Sequence, residues 1–77
     1  MDFIKTREKV EEIGTVDYLG FNGEDINTVV IVVNLNQEDE NAITKLNQIV
    51  EENVTPDYPT LKHYNYDEGL VKVVFSK

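Results

Sequence analysis

A chain of 77 residues with no cysteine has room for one hydrophobic core, without disulfides to brace it or a thiolate to react. Fifteen Asp and Glu stand against seven Lys and Arg, a formal net charge of −8. With Arg7 as the single arginine, this balance excludes the basic face on which nucleic-acid binding by counterion release depends. Acid stands among the first residues, and no apolar run reaches the ~18 residues of a membrane span. A soluble cytoplasmic protein without signal peptide or transmembrane helix is therefore expected.

Residues 2–13, DFIKTREKVEEI, have helical spacing at Phe3, Ile4 or Thr6, Val10 and Ile13. Asp2 is the N-cap candidate and Gly14 the C′ candidate, with Arg7 and Glu11 an i,i+4 pair. Residues 15–21, TVDYLGF, are β-branched and aromatic, and Asn22-Gly23 favours a hairpin turn, with Glu24 and Asp25 in the returning loop. Residues 27–35, NTVVIVVNL, are apolar on both faces and predict a central strand.

Asn36 is positioned to cap a second helix, whose first turn then holds Glu38, Asp39 and Glu40, where the positive end of the helix dipole favours carboxylates. Ala42, Ile43, Leu46, Ile49 and Val50 form its apolar stripe up to about Asn53. Glu51 and Glu52 fall in the last turn, where the same dipole opposes them. Asn53-Val54-Thr55 matches a glycosylation acceptor, idle without a secretory route. Two prolines punctuate residues 54–60. Residues 61–66, LKHYNY, and 70–76, LVKVVFS, predict a hairpin around Asp67-Glu68-Gly69.

The order α-β-β-α-β-β is a circular permutation of the βαββαβ ferredoxin-like sandwich. A split right-handed crossover then gives a four-stranded antiparallel sheet of order 1-2-4-3, with two helices on one face of a single α+β domain. The two most apolar strands occupy its centre. If Val29, Ile31, Val33, Val71, Val73 and Phe75 face the helices, Val30, Val32, Leu70 and Val74 form an apolar patch on the open face. Such a patch is expected to bind a second copy or another partner.

Catalytic and cofactor chemistry find little support, and no cofactor, metal or enzymatic activity is expected. His63 is the only histidine, and a metal shared with Asp57, Asp67 or Glu68 is a weaker reading than an ordinary edge-strand residue. Ser76 has no second base near it, and Asp17 and Asp25 are a pair that fifteen acids produce by accident. The glycines, at 14, 20, 23 and 69, form no phosphate-binding loop. Tyr64 and Tyr66 match the stacking aromatics of RNA-binding sheets in residue type only.

The leading expectation is a non-enzymatic interaction protein. Its acids, with Glu51, Glu52, Asp57, Asp67 and Glu68 as candidates, would meet a basic partner such as the nucleic-acid groove of another protein. Small acidic inhibitors of restriction or CRISPR enzymes, carried by phages and other mobile elements, share this composition, though no family motif is present. The alternatives are a homodimeric regulatory domain charged for solubility alone, and a domain binding a small ligand between helices and sheet.

Overall fold

A computed structural model describes residues 2–35, 40–65 and 69–77. The first helix, α1, spans Phe3–Glu11, and Asp2 caps it by accepting the Lys5 N–H at 3.1 Å. Of the two candidates for its inner face the fold selects Thr6, which is 3% exposed against 74% for Ile4. The Thr6 hydroxyl is satisfied there by donating to Asn53 Oδ1 at 3.4 Å, so a polar residue enters the core at little cost.

Gly14 is not the C′ residue that the sequence suggests. Glu12 caps the helix, and Gly14 opens strand β1, Gly14–Asn22, where it pairs with Leu35. A Cβ here would collide with the carbonyl oxygen of Asn34, so close backbone approach is what requires the glycine. Between Val16 and Tyr18 the register slips, with Asp17 as the extra residue. Strict alternation would have set Val16 on the face opposite Leu19 and Phe21; the bulge returns all three to the core side.

Strand β2 spans Asp25–Leu35, longer than its apolar run. The turn before it is tighter than expected: Asn22 pairs with Asp25, leaving Gly23 and Glu24 between them, with Gly23 at φ 62°. The irregularity falls instead on Ile26–Thr28, which follow Asp25 before the β1 pairing resumes at Val29. Their polar groups find partners. The Asp25 carboxylate accepts Asn27 N–H and the Thr28 hydroxyl, both at 2.9 Å, Tyr58 Oη donates to Ile26 O, and Lys77 N–H donates to Asn27 O.

Helix α2 spans Glu40–Glu52; Asn36, Glu38 and Asp39, the expected cap and first-turn acids, lie outside the described residues. Its buried side chains are Ala42, Leu46, Ile49 and Val50, while Ile43, expected in the same stripe, is 47% exposed. Asn53 closes the helix by donating to Ile49 O at 2.7 Å, which commits its amide to the fold. After a small bridge between Thr55 and Tyr58 come β3, Thr60–Asn65, and β4, Leu70–Ser76, with Gly69 at φ 81° where the expected hairpin needs it.

The sheet is antiparallel in the order β1-β2-β4-β3, the permuted sandwich expected from the chain. Val29, Ile31, Val33, Val71, Val73 and Phe75 are buried with Val10, Leu46, Ile49 and Val50 of the helices in one core. Strand β3 receives little of this cover: all its residues are exposed. Amide exchange should accordingly be slowest in residues 29–33 and 71–75, the two central strands, and faster in residues 15–21 of the β1 edge. Gly14→Ala should cost about 1–3 kcal/mol in chemical denaturation, since the colliding atoms are backbone.

Candidate functional site

Contacts between elements gather acids at one end of the sandwich. The rings of Phe3 and Phe21 meet edge to face at 5.2 Å, holding the start of α1 beside the β1–β2 turn. Tyr58 Oη lies 2.9 Å from Ile26 O, which brings the α2–β3 connection to the same place. Asp2, Glu24, Asp25 and Asp57 are exposed at this end, and Glu51 stands on the last turn of α2 that leads into it. Asp2 and Asp25 are occupied in capping and in the turn. Glu24, Glu51 and Asp57 form no ion pair among the described residues. Lys77 is a cation at this end, its ammonium 5.9 Å from the centre of the Tyr58 ring.

Glu52, named with Glu51 in the sequence reading, has a structural use. It pairs with Lys9 at 2.8 Å, tying α2 to α1, a tertiary reason for acid in a helix turn whose dipole opposes it. The hydrogen bond from Lys9 to Glu52, then their charge attraction, hold the Lys9 ammonium above the usual lysine range. No sequence spacing signals this contact, because it joins residues 43 positions apart. Arg7 and Glu11 do pair as their spacing suggests, at 3.4 Å. Asp67 and Glu68 lie outside the described residues.

On the open face of the sheet Val30 is already buried, 7% exposed, and Val32, Leu70 and Val74 are half-buried. The patch is not purely aliphatic. Lys72 pairs with Val32 and with Tyr64, Lys62 with Val74, and Tyr18 with Val32, so two lysines and two tyrosines interrupt it. The Tyr18 ring lies over Gly20, and its hydroxyl donates to Phe21 O. Tyr66, the other tyrosine singled out in the hairpin, lies outside the described residues.

A concavity opens on the helix side, where β3 is uncovered. It is a cleft of about 480 Å³ lined by Leu35, Leu46 and Val71, with Ile43, Asn47, His63 and Asn65 among its other walls. This explains the exposure of Ile43, which sits on the wall of a space that no described side chain fills. His63 lines this cleft together with Asn47 and Asn65, and among the described residues no three His, Asp or Glu side chains are grouped to hold a metal ion. Asp17, at the bulge, and Asp25, beside the turn, are separated along the hairpin and form no acid-base pair. Among the described residues no helix is long and apolar enough to cross a membrane. Comparison with protein-family models, with curated proteins and with solved structures finds no match.

The two neighbouring glutamates should separate in a neutralisation experiment. Glu51→Gln should leave the melting temperature unchanged or slightly higher, whereas Glu52→Gln should lower it by losing Lys9. Because the folded Lys9 pKa is raised, the linked stability is present below the ordinary lysine value and disappears as pH rises through the raised one. Thermal melts of wild type and Glu52→Gln should therefore differ near neutral pH and converge in strongly alkaline buffer.

Proposed function

We propose that this chain is a small non-enzymatic interaction protein whose acidic end engages a basic partner, such as the phosphate-binding groove of a nucleic-acid-binding protein. One observation carries this reading: Glu24, Glu51 and Asp57, distant in sequence, are exposed toward one end of the fold without an ion pair among the described residues. Carboxylates kept free of internal partners can take the places of phosphates on a cationic surface. The net charge of −8 supplies the long-range field that speeds such an encounter and makes it sensitive to salt.

The cleft supports a second reading. Its described lining contains neither Asp, Glu, Lys nor Arg, although such residues make up 29% of the chain, and its volume suits a small uncharged ligand. An apolar body would rest on Leu35, Leu46 and Val71, while Asn47, His63 and Asn65 offer hydrogen bonds.

The readings separate by experiment. The immobilised chain should capture a basic protein from extract at low salt and release it at high salt or on addition of DNA. The Glu24→Gln, Glu51→Gln, Asp57→Asn variant should associate more slowly, with a flatter salt dependence, at unchanged melting temperature. Equal capture by wild type and variant removes the acidic end from the contact. A neutral compound that raises the melting temperature of wild type but not of Ile43→Phe, which enlarges an exposed wall of the cleft, would favour the second reading.

A further inference from the structure

The two edges of the sheet are treated differently. Strand β1 carries a bulge at Asp17, which interrupts regular pairing, and α1 packs against it. Strand β3 has neither protection. Thr60 to Asn65 pair with β4 in unbroken register, the strand contains no proline, and its residues are all exposed. A regular edge of this kind presents the outward-pointing half of its backbone N–H and C=O groups as a template for another strand.

Charge and register say which strand fits. We infer that β3 pairs antiparallel with β3 of a second copy of this chain about a two-fold axis normal to the sheet, forming one continuous eight-stranded sheet. This inference is independent of the role given to the acidic end. Two copies of charge −8 repel, so self-association is least opposed along strands that carry no acid; β3 and β4 carry Lys62, His63 and Lys72 but no carboxylate, with Asp57, Asp67 and Glu68 outside both strands in sequence. An axis normal to the sheet keeps both helix layers on one side, and it requires residues of the same face to stand opposite each other.

Two registers overlap the strands most fully. Centring on Lys62 sets two ammonium groups directly opposite each other, an unfavourable like-charge pair. Centring on His63 avoids this, using residues 61 to 65 of each copy. Lys62 then faces Tyr64 of the partner subunit, twice by symmetry, and Leu61 faces Asn65 of the partner subunit. A lysine in an edge strand usually discourages pairing. Opposite a tyrosine ring it has a favourable neighbour instead.

The absence of native cysteine makes the register directly readable. Sedimentation should show a wild-type dimer, and His63→Cys should cross-link to itself under mild oxidation, because antiparallel partners lie within disulfide reach. Leu61→Cys mixed with Asn65→Cys should cross-link, neither doing so alone, and Glu8→Cys should remain uncross-linked. His63→Asp, at an exposed site, should shift the sedimentation profile to monomer with its circular dichroism unchanged. Wild type that stays monomeric at every concentration overturns the inference. So does a dimer that cross-links through Val32→Cys on the open face rather than through His63→Cys, or β3 protected from exchange only when a different protein is bound.

Discussion

Everything in this protein hangs on one apolar seam, the pairing of β2 with β4 at the centre of the sheet. Val29 opposite Phe75, Ile31 opposite Val73 and Val33 opposite Val71 present one continuous face, and that face is the floor on which both helices rest. These six side chains are buried, and Val10, Leu46, Ile49 and Val50 of the helices complete the same core against them. The helices have little independent tendency to form. Each is short, and α1 mixes favourable and like-charge pairs, so packing on the seam accounts for their stability.

Concentrating burial at the centre leaves the periphery to polar devices. Thr6 is admitted to the core because Asn53 accepts its hydroxyl, and Asn53 is fixed in turn by its bond to Ile49 O. Lys9 and Glu52 join the helices across their exposed sides. At the hairpin end, Asp25, Tyr58 and Lys77 satisfy the backbone of Ile26 and Asn27 where the β1 pairing breaks. Several carboxylates are thus explained by the fold alone. Among the described residues, the acid left without an ion pair or side-chain hydrogen bond toward that end is Glu24, Glu51 and Asp57.

The same economy exposes β3. Two helices span less than the width of four strands, and here they lie toward β1, β2 and β4, so β3 is left with solvent on both faces and along its free edge. The cleft beneath Ile43 and the pairing-competent edge are two consequences of that one offset. The open face is less apolar than a row of aliphatic residues suggests, because Lys62 and Lys72 alternate with its valines. Tyr18, folded over Gly20, covers part of the face from the β1 side.

The element order, the central place of the two apolar strands and the face of each of their residues were determined by the sequence, since alternation and hydrophobicity act locally and a buried strand tolerates only one register. The Asp2 cap, the Arg7–Glu11 pair and the positive φ of Gly23 and Gly69 were legible for the same reason: each depends on residues a few positions apart. Tertiary structure decided what depends on distant approach. It chose Thr6 over Ile4, set Gly14 against the Asn34 carbonyl, inserted the bulge at Asp17 and turned Ile43 into a cleft wall. It also divided the acids, giving Glu52 to Lys9 while leaving Glu51 free of ion pairs among the described residues. Two adjacent glutamates are alike to a local rule, and only the position of α1 across from one of them makes them different.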